Sequence, residues 1–318
     1  MELGLSVAAL DRGWRNETVD SDGRFEYKVN TSLFPSMSSL VAFARSEEGA
    51  HTRFFFNDHP KRLATGTKGG SGPSSPEVVL APAEISFRYN SHAAIFNSTG
   101  IDFFWNDCHW AWMTPSLAIA NASNRVDGPT WGAAVFHDVL ASYSERSRTP
   151  RPLIGMGCSG SRHPASHRYP VQWTGDIFST QLLDNVARTV AGGYRTFNSY
   201  VHPDCGGHHN HDPPEVYLRW IQFCALSNVF RIHSDPYNDR RPWNQHSDAV
   251  TNDTVVRIFR DFVQMRVKLT PTLVSAAAQM SIDGTCVLSM RDALSYLLLR
   301  TDVIEATIIE TYPINRYI

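Results

Sequence analysis

Short apolar runs alternate with amphipathic segments along this chain, and polar residues collect where the apolar runs end. The first predicted strand lies in LGLSVAALDRGW and ends at Asp11, the second lies in HTRFFFNDHP, and the third lies in GIDFFWND and ends at Asp107. A helix that stops at Gly49 is predicted in SLFPSMSSLVAFARSEEG, whose apolar residues have helical spacing. This alternation is typical of strand–helix units.

The alternation continues through the second half of the chain. We predict a weak strand at residues 85–88, a helix at 130–145, an apolar strand in PLIGMGC, and a strand in HRYPVQWTGD that leads to Asp176. The remaining predicted elements are a helix at 179–190 closed by two glycines, strands in YRTFNSYV and NVFRIH, and helices in PEVYLRWIQFCAL and at 253–280. About eight strand–helix units result, the number that a closed parallel barrel requires.

Length and charge limit the classes of protein to consider. With 318 residues, of which 42% are hydrophobic, the chain can form one large α/β barrel or two ordinary domains. A formal net charge of −2 gives no broad electrostatic reason to bind nucleic acid or an anionic membrane. No apolar run approaches the length of a membrane span. Partners must therefore be argued from individual sites.

Cysteines and glycosylation patterns bear on the compartment. The five cysteines form no CxxC pair, so neither a zinc ribbon nor a thioredoxin-like motif is indicated, and we predict that they are reduced or partly paired. The N-terminal segment lacks the basic region of a signal peptide, which leaves the cytoplasm as an alternative. Five N-x-[S/T] patterns instead weakly favour a secreted glycoprotein. They lie at Asn16, Asn30, Asn97, Asn121 and Asn252.

Two motifs suggest other chemistry, and each has a second explanation. GMGCSG at residues 155–160 matches the dinucleotide fingerprint, but two prolines follow where the fingerprint requires a helix. HPDCGGHHNHD at residues 202–212 contains donors that zinc accepts. Its spacing fits no standard zinc finger, and a glycine-rich loop can also carry histidines to solvent. We therefore predict no metal site and no cofactor.

Two aspartates end predicted strands beside tryptophans. Asp107 follows Trp105, and Asp176 follows Trp173. Each carboxylate alone has a second explanation, since Asp176 before an S-x-x-L-L sequence is a reasonable helix N-cap. In a barrel, however, the carboxyl ends of the strands converge on one face, and further polar residues also end strands. Paired acids beside aromatic rings indicate acid/base or nucleophilic chemistry on a sugar-like substrate.

Several motifs resemble the retaining α-glycosidases of glycoside hydrolase family 31, which include α-glucosidases and α-xylosidases. They occur in the family's order over roughly residues 10–270, and they read LFP, NDHP, GIDFFWND, HRYPVQWTGD, DCGGH, and PEVYLRWIQF with RIHS. The resemblance implies a (β/α)8 TIM barrel, either complete or incomplete, over residues 1–284. Relative to the family, this domain is truncated at its N-terminus. Residues 285–318 then form a short C-terminal extension whose structure the sequence does not predict.

The resemblance also implies roles for individual residues. Asp107 matches the family's nucleophile, and Asp176 of the W-x-G-D motif matches its acid/base. The implied substrate-binding residues surround the reacting sugar, an α-glycoside, and the family needs no metal or organic cofactor. These residues are Asp11, Trp105, Arg162, Trp173, Asp204 and His233.

Departures from the family keep alternative functions open. No recognisable β domains flank the barrel, Gly13 and Pro203 stand where many relatives have an acid and a histidine, and the segment around Arg162 is shortened. We expect hydrolysis of terminal α-linked glucose-like or xylose-like units by a retaining double displacement. The alternatives are a catalytically impaired relative that binds glycans, a non-functional fragment, and a metal-dependent hydrolase that uses the histidine loop.

Overall fold

The computed structural model describes ten parts of the chain: residues 7–16, 18, 26–58, 82–107, 117–118, 125–126, 169–196, 198–208, 213–234 and 239–285. Six features from the sequence analysis lie outside these residues. They are the glycosylation pattern at Asn121, the helix at 130–145, the strand in PLIGMGC, the GMGCSG motif at 155–160, the position of Arg162 and the extension from residue 286 onward.

Three parallel strands form the first sheet, in the order β1-β2-β3. Strand β1 spans Val7–Leu10, β2 spans Arg53–Asp58 and β3 spans Phe103–Asn106. Five of the six residues of β2 are buried, as expected for a parallel strand that is covered on both faces. The three predicted strands are therefore confirmed, and their carboxyl ends lie at the same edge of the sheet.

Helices α1 (Met37–Arg45) and α2 (Pro82–Thr99) accompany this sheet. The strand predicted at residues 85–88 is wrong, because these residues belong to the 18-residue helix α2. The helix packs His92 and Phe96 against Phe104 of β3, with ring centroids 4.4 Å and 5.2 Å apart. Tertiary packing of this helical face thus overrides the weak local preference for a strand.

The next described strands are short. Strands β4 (Leu117–Ala118) and β5 (Arg125–Val126) form an antiparallel pair, whereas β6 (Gln172–Trp173) and β7 (Val201–His202) pair in parallel. A 3₁₀ turn at Ser179–Gln181 leads from β6 into α3, which spans Leu182–Thr196. The predicted stop at the two glycines is wrong, because α3 continues through them. Both glycines are buried, so close packing offsets their low helix propensity of about 1 kcal/mol each.

Helices α4 (Pro214–Leu226) and α5 (Ala249–Asp283) complete the described structure. Helix α4 has the predicted bounds, and α5 extends beyond the predicted 253–280 at both ends. Their buried faces form one apolar cluster around Trp220. The Trp220 Nε1 donates to the Ser179 carbonyl at 2.7 Å. The strand predicted in NVFRIH is present only as a parallel bridge between Ile232 and Cys205.

A disulfide joins Cys205 to Cys224 of α4. Of the two predicted states of the cysteines, reduced or partly paired, the partly paired state is confirmed. The bond attaches the loop after β7 to the helix that follows it. Among the described residues, no helix has both the length and the apolar character that a membrane crossing requires.

We predict that Phe56→Ala lowers the free energy of unfolding by about 3–5 kcal/mol, because it leaves a cavity in the core. Phe56 is fully buried in β2 and stacks on Trp14 at 4.7 Å. Phe43 of α1 is 58% exposed, so Phe43→Ala is the matched control, with an expected change within about 0.5 kcal/mol. Urea denaturation followed by circular dichroism measures both, and equal losses would contradict the assigned core.

Candidate functional site

The carboxyl ends of the strands carry the predicted acidic residues. Asp11 directly follows β1, Asp107 directly follows β3, and Asp204 lies two residues after β7. The backbone N–H of Asp107 donates to the carbonyl of Asp58 at the end of β2, at 3.3 Å. Because parallel strands present these ends at one edge, side chains distant in sequence become neighbours.

Two tryptophans join the separate sheets. Trp105 of β3 and Trp173 of β6 are both buried, and their rings meet edge to face with centroids 4.9 Å apart. Phe55 and Phe103 belong to the same buried cluster. Edge-to-face packing of this kind contributes about 0.5–1.5 kcal/mol beyond the buried area. The tryptophans predicted beside the two acids therefore lie in contact.

Arg231 pairs with the buried carboxylate of Asp204. Its Nη1 donates to Asp204 Oδ1, and its guanidinium lies over the rings of Trp105 at 4.0 Å and Trp173 at 5.3 Å. The aromatic faces attract the cation and shield the ion pair from water. The arginine, the aspartate and both tryptophans thus form one connected group.

The pKa of Asp204 is raised to about 7, chiefly because the carboxyl group is fully buried. Arg231 opposes this shift, while the negative charges of Asp176 and Asp107 add to it. The folded state therefore retains a proton that the unfolded state releases. The contribution of Asp204 to stability is greatest at low pH and falls as the pH rises from 3.8 to about 7.

Asn57 holds the carboxylate of Asp107. The side-chain Nδ2 of Asn57 donates to Asp107 Oδ2 at 2.8 Å, and both residues are buried. The backbone carbonyl of Asn57 in turn accepts from Trp14 Nε1 at 2.8 Å. The amide therefore fixes one carboxylate oxygen of Asp107.

Asp11 and His233 lie beside this group. His233 Nε2 is 3.8 Å from Asp11 Oδ2, and the His233 ring meets Trp105 edge to face at 5.6 Å. Burial raises the pKa of Asp11, and the charge of Asp107 raises it further. Asp11, Asp107, Asp204 and His233 are thus brought together at one edge of the described structure.

Asp176 is exposed, three residues beyond β6. The alternative role as a helix N-cap is wrong, because the 3₁₀ turn begins after Phe178, whose N–H donates to Gln181 Oε1 at 2.9 Å. Asp176 contributes to the raised pKa of Asp204, so the two carboxyl groups interact electrostatically. Its role as an acid/base remains a prediction, as does that of Arg162, which lies outside the described residues.

Three residues near these acids were missed in the sequence. The sequence predicts no role for Asn57, and it shows Arg231 only within the RIHS motif and His208 only within the histidine loop. Of the three, only Asn57 carries a local signal, because it lies near the end of β2. No local signal identifies their partners, because Asn57 contacts a residue 50 positions away and Arg231 contacts one 27 positions away.

The histidine loop is described from residue 202 to 208. His202 is buried, and burial lowers its pKa to about 3, so the ring is neutral. Ligand atoms of Asp204, His208 and His233 lie within 4.8 Å of one another. Imidazole nitrogens and a carboxylate oxygen at this spacing could hold a metal ion, although the resemblance implied none.

Comparison with protein families gives one extended match. The model of the glycosyl hydrolases family 31 TIM-barrel domain matches residues 19–276 of this chain. An α-xylosidase of Emericella nidulans is 27% identical over 207 residues, which are 64% of this chain and 25% of that protein. The chain therefore spans about a quarter of the length of this curated relative.

Solved structures give the same picture of the fold. A xylosidase from Aspergillus niger has a TM-score of 0.64 at 15% identity and covers 88% of this chain and 46% of its own. A cycloalternan-degrading enzyme from Trueperella pyogenes has a TM-score of 0.65 at 15% identity and covers 93% and 49%. These matches support the predicted (β/α)8 barrel fold, although the described strands form two separate parallel sheets and one antiparallel pair and close no barrel.

We predict that Arg231→Met lowers the free energy of unfolding by about 3 kcal/mol at pH 8, because it leaves the buried Asp204 carboxylate without its cation. The loss is expected to be smaller at pH 5, where the carboxyl group is protonated and neutral in both proteins. Urea titrations at the two pH values measure the difference.

The matched control for this prediction is Arg219→Met. Arg219 pairs with Glu215 on the surface of α4 at 3.5 Å, and such exposed pairs contribute about 0–1 kcal/mol. A loss for Arg231→Met no larger than that of the control, or one that does not depend on pH, would contradict the assigned role of Arg231.

Proposed function

The chain belongs to glycosyl hydrolase family 31, which confirms the resemblance seen in its motifs, and on that premise we propose that it hydrolyses terminal α-linked glucose-like or xylose-like units. The proposal concerns the barrel domain alone, since the curated relative is about four times as long as the region that it shares with this chain. That relative is an α-xylosidase, which supports an α-glycoside as the substrate.

One observation carries the proposal. Asp107 and Asp176 follow two strands whose tryptophans, Trp105 and Trp173, are in contact at 4.9 Å. Because this contact packs the two strand ends together, we infer that both acids reach one sugar, where one attacks the anomeric carbon and the other protonates the leaving group. We further propose that the two parallel sheets are arcs of one (β/α)8 barrel, whose open face holds this site.

In the first proposed step, Asp107 is the nucleophile. Its carboxylate attacks the anomeric carbon as the bond to the departing oxygen breaks, and a covalent glycosyl–enzyme ester forms. Asn57 Nδ2 donates to Oδ2 of Asp107 and holds the carboxylate in place for this attack. Asp176 donates its proton to the departing oxygen, and retention requires the two carboxyl groups to be about 5–5.5 Å apart.

In the second proposed step, Asp176 acts as a base. It removes a proton from water, and the resulting hydroxide displaces Asp107 from the anomeric carbon, so the configuration is retained over the two displacements. Asp176 is exposed and therefore accessible to that water. The mechanism leaves both aspartates in their starting protonation states.

The neighbouring residues are proposed to bind the sugar. Asp11, Asp204 and His233 offer hydrogen-bonding groups beside Asp107. Trp105 and Trp173, both buried, keep their proposed substrate-binding role on the basis of the resemblance alone. Arg231 is proposed as a positioning residue, because it keeps Asp204 oriented through Oδ1 and leaves Oδ2 toward its neighbours. Arg162 keeps its proposed role as a further sugar contact on the basis of the resemblance alone.

We predict that Asp107→Asn reduces hydrolysis of every aryl α-glucoside and α-xyloside to background. Asp176→Asn is expected to lower kcat/KM by about 10²–10⁴-fold for glycosides with poor leaving groups, because these need a proton from the acid. The loss of kcat/KM should be much smaller for a dinitrophenyl glycoside, because its dinitrophenolate leaving group departs without protonation. Initial rates with the two classes of leaving group measure the contrast.

The outcome distinguishes hydrolysis from simple glycan binding. Equal background rates in the wild type and in both variants would contradict the proposed activity and favour a relative that only binds glycans. The first-formed sugar, observed by proton NMR, should be the α-anomer if the mechanism is retaining. Appearance of the β-anomer would contradict the double displacement but not glycoside hydrolysis.

We predict that Asn57→Ala lowers kcat by about 10- to 100-fold. A hydrogen bond to a charged group contributes about 1.5–3 kcal/mol, and each 1.4 kcal/mol corresponds to a tenfold change in rate. KM should change little, because Asn57 is proposed to orient Asp107 rather than to contact the sugar. A rise in KM with kcat unchanged would contradict the positioning role.

A further inference from the structure

Three metal-binding side chains converge from separate parts of the chain. Asp204 and His208 lie in the loop after β7, and His233 follows the bridge formed by Ile232. Their ligand atoms all lie within 4.8 Å of one another. The imidazole rings of His208 and His233 are stacked with centroids 4.5 Å apart, so both present nitrogens to the same small region.

The charge around these residues favours a cation. Asp11 Oδ2 lies 3.8 Å from His233 Nε2, and the charges of Asp107 and Asp176 reach Asp204. Within the described part of the chain, two guanidiniums act on these four carboxyl groups: Arg231 on Asp204 and Asp11, and Arg12 on Asp11. Four carboxylates beside two arginines leave an excess of negative charge, which a divalent cation would reduce.

The donor atoms indicate the class of cation. Arg231 occupies Asp204 Oδ1, and Oδ2 lies 3.9 Å from His208 Nδ1, a distance too long for a hydrogen bond. Two imidazoles with one carboxylate suit Zn²⁺ and similar transition metals, whereas Mg²⁺ prefers oxygen donors alone. Donors of tetrahedral Zn²⁺ lie about 3.4 Å apart, so the three atoms must move inward by about 1 Å or less, with a tilt of the stacked rings.

We propose that Asp204, His208 and His233 bind a Zn²⁺-class cation that competes with the sugar for the site. Asp204 and His233 are also proposed sugar-binding groups, so ion and substrate cannot both use them. The ion is thus an inhibitor and takes no part in hydrolysis. Only the competition rests on the proposed function, because binding of the ion is independent of any glycosidase activity.

The test measures binding of Zn²⁺ alone to the full chain by calorimetry, in a buffer that does not chelate metals. His208→Asn should weaken binding at least about tenfold, since even changes outside the ligand shell alter metal affinity by roughly 10–100-fold. His51→Asn is the matched control, because His51 is exposed, lies outside the site and has a positive φ that asparagine tolerates. His233→Asn is a second variant, and thermal melts report whether each variant folds.

Each result decides a separate part of the proposal. The site is supported if the wild type binds Zn²⁺ more tightly than Mg²⁺, and if this preference is lost in His208→Asn and His233→Asn but kept in His51→Asn. Equal binding by all four proteins, or none by the wild type, overturns it. In hydrolysis assays Zn²⁺ should raise KM without lowering kcat, and a fall in kcat alone overturns competition. A wild type that hydrolyses nothing without Zn²⁺ contradicts the proposed function instead.

Discussion

The contact between Trp105 and Trp173 is the interaction on which the candidate site depends. It joins two sheets that share no backbone hydrogen bond among the described strands. Arg231 lies over both rings and pairs with Asp204, so a cation, two aromatic faces and a buried carboxylate stabilise one another. The low polarity that these rings create strengthens the ion pair, and burial raises the pKa of Asp204.

Buried carboxylates have two different roles in this protein. Asp58, at the end of β2, is fully buried and accepts hydrogen bonds from Tyr27 at 2.8 Å and Arg15 at 3.1 Å, while His92 Nε2 lies at 2.9 Å. This network ties strands and helix together. The adjacent Asn57 donates to Asp107, so the residues around Asp58 support the side chain that holds the proposed nucleophile. Rigid supports of this kind favour a well-defined site.

The loop after β7, which contains Asp204, is held in place by a disulfide and by a close contact at Gly207. Cys205 follows Asp204 directly and is bonded to Cys224 of α4, which fixes the loop to a helix with a largely buried face. Gly207 has a positive φ of 78°, and a side chain there would lie 2.4 Å from the Ser179 backbone. The loop can therefore approach the turn before α3 only because this position is glycine.

Local pattern was sufficient for the elements with strong periodicity. Strands β1 to β3 and the proline-initiated helix α4 were predicted correctly, because continuous apolar runs mark the strands and helical spacing marks the helix. The strand at residues 85–88 and the end of α3 were wrong. In both places packing against distant residues outweighed weak local preferences and glycine propensity.

The sequence by itself determined the family, the parallel α/β class and the acids at the strand ends, because these depend on short motifs and on the order of elements. Only the tertiary structure decided which side chains meet: Asn57 with Asp107, Arg231 with Asp204, and His208 with His233. The physical reason is that strand order and helix packing set distances between residues far apart in the chain. The pKa of each acid depends on those distances and on burial, which no local pattern specifies.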